Sequence, residues 1–310
     1  MAGVSVKAFA KINLSLGVTG RLENGYHLIR SVMQAIDIHD DITVETKGKA
    51  GLYGGTSIKI QVEDEIDKDS DVSFDIPEGE NNIMYRAAAA MADYFCPVTG
   101  NRVNLRLVKR IPMAAGLAGG STDAAAVMLA LARLWAVDVK LATLVDIGKS
   151  IGADVPFCLA ANAKLNPTLG FAGDILASSC ALAEGIGETL TPRAGTDGAV
   201  VLVKPDIAVS TPYIYGLFDK NGQTDGIASP EDMVNALEPV TVGAYPLVGD
   251  TIERLKGLVS PERVFMSGSG PTVLAYFAER AAAESAAVRI KQAFKDEADG
   301  GCYVRFAGLM

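Results

Sequence analysis

The sequence predicts an α+β protein of two domains. An apolar alternation opens the chain, strand-like and helix-like stretches then follow in mixed order, and 310 residues exceed what one core usually holds. Strict βαβ alternation would have argued instead for a doubly wound sheet. A change of composition across Asn162–Ser179 reads as a linker, so we place an N-terminal domain at 1–178 and a C-terminal domain at 179–310.

From Val4 to Leu16 the even positions (Val4, Val6, Ala8, Ala10, Ile12, Leu14, Leu16) share one face of a strand, and Lys7, Phe9, Lys11, Asn13 and Ser15 share the other. Asn24-Gly25 signals a turn before a second strand at about 29–38. Residues 47–80 read as a variable hairpin and loop region. Helices are predicted over Asn82–Phe95, Ser121–Trp135, Leu141–Ile151 (capped by Gly152) and Ala281–Asp296, with strands over Val103–Val108, Ala199–Lys204 and Val273–Phe277.

Composition narrows the possible functions. With 49% apolar and 21% charged residues the chain is globular, and a formal net charge of -9 disfavours nucleic acid and anionic membrane as partners. Lys7 and Lys11 interrupt the first apolar run before a signal peptide can form, which implies a cytoplasmic protein. Cys96, Cys158, Cys180 and Cys302 are scattered without a C-x-x-C pair, and His27 and His39 are the only histidines, so neither a disulfide framework nor a zinc centre is expected.

The most informative segment is Pro112-Met113-Ala114-Ala115-Gly116-Leu117-Ala118-Gly119-Gly120-Ser121-Thr122-Asp123. Gly116, Gly119 and Gly120 would let the backbone turn through positive φ, and Ser121 and Thr122 would cap the Ala-rich helix that follows. The free N–H groups of that first turn suit a phosphate, although such a loop can also serve merely to start a helix. It is not a Walker A loop, and the one Gly-Lys-Ser, at Gly148–Ser150, lies at a helix end without the upstream glycine. A second glycine loop, Ser267-Gly268-Ser269-Gly270-Pro271-Thr272, lies far downstream.

With these two loops in this order, the chain resembles the GHMP small-molecule kinases. Four further segments, Ala10-Lys11-Ile12-Asn13-Leu14, Gly25-Tyr26-His27, Gly152-Ala153-Asp154-Val155-Pro156 and Ala183–Glu188, are similar to the members that phosphorylate a cytidine-diphosphate-linked methylerythritol for isoprenoid synthesis. The resemblance implies a ribosomal protein S5 domain 2-like N-terminal domain and a ferredoxin-like C-terminal domain, with the active site between them. It also implies ATP and Mg²⁺, that cytidine-linked small molecule as substrate, and a monomer or homodimer.

By the same resemblance Asp154 is the general base and Lys11 the cation beside it. For an isolated Asp, satisfaction by nearby N–H groups would be the better reading, but Pro156 should hold Val155 extended and place the Asp154 side chain to be fixed in a cleft, and the motif favours catalysis. Lys11 shares a strand face with Asn13, so one ligand could touch both. Tyr26 and Tyr215 are implied to sandwich the base, with His27 reading its edge; Thr211, Gly268 and Ser269 complete the substrate site. ATP is implied along Pro112–Thr122 with its triphosphate on Gly116–Thr122, and adenine near Asn82 and the strand 105–110 with Lys109 close by; no metal ligand can be named. Leu159–Cys180 is longer than the family pattern and could form a lid or a partner contact. Rival readings are a kinase for mevalonate, homoserine or a sugar, and a non-catalytic nucleotide sensor.

Overall fold

The computed structural model describes residues 2–47, 57–66, 76–77, 79–95, 102–220, 232–295 and 302–310. Most of the 47–80 region and Cys96 lie outside these residues. Two long antiparallel strands, β1 (Ala2–Arg21) and β2 (His27–Lys47), open the chain and pair from Ala2–Thr46 to Arg21–His27. The far half of β2 also pairs with β4 (Arg102–Lys109), which pairs in parallel with β3 (Ser57–Asp64). The near half of β2 receives β5 (Cys180–Glu184), which leads to β6 (Thr189–Pro192).

On this six-stranded sheet lie α1 (Ile83–Phe95), α2 (Gly119–Leu134), α3 (Leu141–Gly148) and α4 (Val155–Leu165). Helix α2 runs through the core, and every residue from Thr122 to Ala132 is buried. Its alanines are what allow α1, α4 and β1 all to approach it. α3 ends at Gly148 rather than near Ile151, with a tight turn running on to Gly152. At Gly148 a Cβ would stand 2.8 Å from Val155 Cγ1 and 2.9 Å from Leu159 Cδ1, so the crossing with α4 requires glycine.

A second, four-stranded antiparallel sheet follows in the order β10-β7-β9-β8: β7 (Ala199–Lys204), β8 (Arg263–Met266), β9 (Val273–Phe277) and β10 (Tyr303–Gly308). It is accompanied by α5 (Thr211–Lys220), α6 (Glu238–Ala244), α7 (Pro246–Leu258) and α8 (Arg280–Lys295). The passage from one sheet to the other falls between Pro192 and Ala199, so the strands just after residue 179 belong with the first sheet. No helix among the described residues is long and apolar enough to cross a membrane.

Asn162–Ser179 is not a solvated linker. Asn162 is buried, accepting from Phe9 N at 3.0 Å and donating to Thr122 Oγ1 at 2.9 Å, while Leu169 enters the main core. Asp174 accepts from Leu141 N at 3.2 Å. The polar residues that resembled a linker are consumed by backbone hydrogen bonds that hold the segment to the first sheet and its helices.

The even-numbered face of β1 is apolar, as the alternation required, but the other face is not solvated. Lys11, Asn13 and Ser15 are 4%, 1% and 2% exposed. Bulges between Phe9 and Lys11 and between Asn13 and Ser15 turn the strand as it passes from the first core toward the second sheet. Its middle is therefore covered by both halves of the molecule.

Candidate active site

A lysine ammonium this deep needs partners, because burial penalises charge. Lys11 Nζ donates to Asn13 Oδ1 at 2.7 Å and to Gly116 O at 3.4 Å, and lies 3.6 Å from Asp154 Oδ1. Asn13 is fixed in turn, donating from Nδ2 to Ser31 Oγ at 2.8 Å. Asp154 is more open, its side chain 34% exposed. Contrary to the extended backbone expected before Pro156, Val155 is the first residue of α4, since proline is tolerated in the first turn of a helix. Asp154 is thus the N-cap, yet its side chain makes no capping hydrogen bond. The carboxylate faces Lys11 instead of satisfying its own helix.

The two glycine loops pack backbone to backbone. A Cβ on Gly116, where φ is 71°, would stand 2.4 Å from Ser267 O. Ser267 Oγ donates to Gly116 O at 3.0 Å, and Lys11 N donates to Leu117 O at 3.2 Å. Positive φ occurs at Ala114 (49°), Gly116 and Ala118 (57°), not at Gly119 and Gly120, which already belong to α2. Glycine is needed at 119 because a Cβ would meet Lys109 Nζ at 2.9 Å.

The N-cap of α2 is Ala118 rather than Ser121 or Thr122, and no side chain caps it. Gly119, Gly120 and Ser121 therefore present first-turn N–H groups at a helix N-terminus, the arrangement that suits an anion. Pro112, Ala115 and Leu117 are buried, so Met113 and Ala114 are the loop's more accessible neighbours. The Thr122 hydroxyl is not available to a phosphate, because it donates to Phe9 O at 2.7 Å inside the core.

Two residues implied beside adenine are engaged within the protein. Asn82 caps α1, accepting from Met84 N at 2.8 Å, and donates to Pro77 O at 2.8 Å. Lys109 Nζ is buried between Asp40 and Asp123, 3.1 Å from the latter. Burial opposes the Lys109 charge, but Asp123 and Asp40 hold its ammonium above the ordinary range. One ammonium cannot neutralise two buried carboxylates. Burial, against the pull of Lys109 and with the push of Asp40, raises the Asp123 carboxyl well above its usual range. A cleft of about 640 Å³ lies beside these residues against Ile58, Tyr85, Leu105 and Arg106, but neither Asn82 nor Lys109 lines it.

A second cleft, of about 510 Å³, brings together Lys11, Asn13, Gly116, Asp154, Tyr26, His27, Thr211, Tyr215, Gly268 and Ser269. No residue of 159–180 lines it, so that segment supplies no lid here. The His27 ring lies on Tyr215, centroids 4.6 Å apart with 25° between planes, while Tyr26 is 57% exposed at the mouth. One face of Tyr215 is therefore covered by His27. Burial, with Asp154 nearby, pushes the Tyr215 hydroxyl up, out of any acid–base role near neutrality. Thr211 Oγ1 and Ser269 Oγ are 2.8 Å apart and join α5 to the second glycine loop.

Sequence reasoning missed Arg21 and Asp219, which also line this cleft. Asp219 follows Tyr215 by four positions on α5, a spacing that would have put both on one helix face. Among the described residues no group of three or more His, Cys, Asp or Glu side chains could hold a metal ion.

Comparison with known proteins gives the family. Residues 82–162 match the GHMP kinases N terminal domain. A 4-diphosphocytidyl-2-C-methyl-D-erythritol kinase of Acetivibrio thermocellus is 38% identical over 297 residues, 89% of this chain and 91% of its own. A crystal structure of a 4-(cytidine 5'-diphospho)-2C-methyl-D-erythritol kinase superposes with a TM-score of 0.70 at 29% identity, covering 98% of this chain and 99% of that one. Homoserine kinase from Cytophaga hutchinsonii shares the fold, with a TM-score of 0.67 at 15% identity over 100% of this chain and 95% of that chain. With two domains of GHMP kinase type and relatives spanning nearly its whole length, the chain belongs to the 4-diphosphocytidyl-2-C-methyl-D-erythritol kinase family of the GHMP kinases and is an ATP-dependent phosphotransferase.

Proposed function

We propose that this kinase transfers the γ-phosphoryl group of ATP to the 2-hydroxyl of 4-diphosphocytidyl-2-C-methyl-D-erythritol, in the cleft of about 510 Å³. The observation that carries this reading is the pair formed by buried Lys11 and open, uncapped Asp154, 3.6 Å apart beside the glycine loops. Asp154 accepts the hydroxyl proton as the oxygen attacks phosphorus; the new O–P bond forms as the bond to the ADP oxygen breaks. Lys11, held by Asn13 Oδ1 and Gly116 O, stabilises charge on the attacking and transferred oxygens.

The first-turn N–H groups of α2 hold the phosphates, and the wall of Tyr26, His27 and Tyr215 holds the base, with Thr211, Gly268 and Ser269 along the rest of the cleft. Mg²⁺ would arrive on the nucleotide's phosphates and neutralise their charge, with no cluster of three acidic, His or Cys side chains among the described residues needed to hold it. A base-free alcohol such as mevalonate or homoserine would leave that wall unused.

The test is ADP release with Mg²⁺-ATP against the cytidine-linked alcohol, mevalonate, homoserine and galactose. Turnover on the first alone is expected, and Asp154→Asn should lower kcat by roughly 10²–10⁴. Preference for another alcohol would overturn the substrate, and near-normal turnover of the variant would overturn the base.

A further inference from the structure

The cleft contains a chain of contacts that phosphoryl transfer does not itself require. Arg21, the last residue of β1, lies 3.2 Å from Asp219 Oδ2 on α5. The other carboxylate oxygen, Asp219 Oδ1, lies 2.7 Å from His27 Nε2. His27 is only 9% exposed, and its ring rests on Tyr215, one helical turn before Asp219. Tyr215 thus sets the plane of the imidazole, while Asp219 sets its rotation within that plane.

The hydrogen-bond inventory then decides the tautomer. Asp219 Oδ2 is engaged by the guanidinium of Arg21, which can only donate, and Oδ1 is left to accept. Nε2 is therefore the nitrogen that carries hydrogen, and in the uncharged ring Nδ1 is a bare lone pair. Such an acceptor pairs with an exocyclic amino group, as on C4 of cytosine. Against uracil, which carries a carbonyl oxygen there, it would set lone pair against lone pair.

We propose that Asp219, steadied by Arg21, is a positioning residue that fixes the Nε2-protonated tautomer of His27 and so biases the cleft toward cytosine over uracil. The specificity half of this rests on the proposed reading of His27 as the residue that meets the base; the tautomer half does not.

The two halves are separable by experiment. His27 and His39 are the only histidines, so a His39→Gln variant assigns the ring ¹⁵N signals of His27 without ambiguity. In the full-length protein without substrate, uncharged His27 should show protonated Nε2 and unprotonated Nδ1. Asp219→Ala should give a mixture of tautomers, whereas Arg21→Ala, which leaves a carboxylate that can only accept from Nε2–H, should largely preserve the single form. In turnover, Asp219→Ala should raise KM for the cytidine-linked substrate roughly three- to tenfold, the loss of about one hydrogen bond, with kcat little changed. Its preference over the uridine-linked analogue should fall by a similar factor.

Protonated Nδ1 in the wild type, or a ring signature indifferent to Asp219→Ala, would overturn the tautomer assignment whatever the enzyme phosphorylates. A changed signature with unchanged base preference would overturn the specificity role. A wild-type enzyme that turns over another alcohol, with the ring signature as expected, would instead fault the proposed function.

Discussion

Replacing Gly116 by alanine would strike the contact on which the cleft depends. Its φ of 71° is left-handed, and the new Cβ would stand 2.4 Å from Ser267 O and 3.2 Å from Gly270 O, both backbone atoms. The left-handed conformation costs a non-glycine residue about 1–2 kcal/mol, and overpacking adds about 1–3 kcal/mol. The sum, about 2–5 kcal/mol, is of the order of a weak domain's whole stability but below that of most, so the variant should fold with a lowered urea midpoint. The least costly relief is to part the two loops. Gly116 O accepts from Ser267 Oγ and Lys11 Nζ, and Leu117 O accepts from Lys11 N, so parting them moves Lys11 away from Asp154. A displacement near 1 Å costs roughly 10²-fold in turnover. Steady-state ADP release should show that loss in kcat. The control is Gly257→Ala on α7, where nothing but the helix's own neighbouring backbone lies within 4 Å of the new Cβ; it should leave turnover unchanged and gain up to about 1 kcal/mol in helix propensity. A Gly116→Ala enzyme with wild-type kcat and urea midpoint would refute the coupling of the loops to Lys11.

Two further predictions concern the frame around the site. Asn162→Ala leaves buried Phe9 N without its acceptor, while Thr122 Oγ1 loses one donor but still reaches Phe9 O, so it should cost about 1–3 kcal/mol in urea unfolding; an unchanged midpoint would mean that the 162–179 segment is not fastened there. Asp123→Asn should flatten the dependence of stability on pH. Burial keeps a proton on Asp123 in the folded state that the unfolded chain releases near 3.8, so wild-type stability falls as pH rises from that value through the raised folded one. The variant should therefore gain on wild type across this window, and a pH-independent difference would show that Lys109 keeps Asp123 charged.

Much of this was legible because period and motif are local. The alternation of β1, the alanines of α2 and the pairing of two glycine loops can be read without knowing what packs where, and the cleft does gather Lys11, Asn13, Asp154, His27 and Tyr215. What stayed hidden depends on which side chains the fold consumes. Lys11, Asn13 and Ser15 look solvated on a lone strand, and only the second sheet and its loops bury them. Asp219 stands 192 positions from His27, beyond any pattern of spacing. The glycine loop before α2 shows the distinction most sharply. Alanine occupies two of its left-handed positions, Thr122 gives its hydroxyl to Phe9 O, and the Lys109 ammonium beneath Gly119 is held between Asp40 and Asp123. With those side chains engaged, the groups left facing a nucleotide at the start of α2 are chiefly main-chain N–H groups. They constrain shape rather than side-chain identity, which is why a motif can single out this loop while its side chains, being engaged elsewhere, do not say which atoms face the cleft.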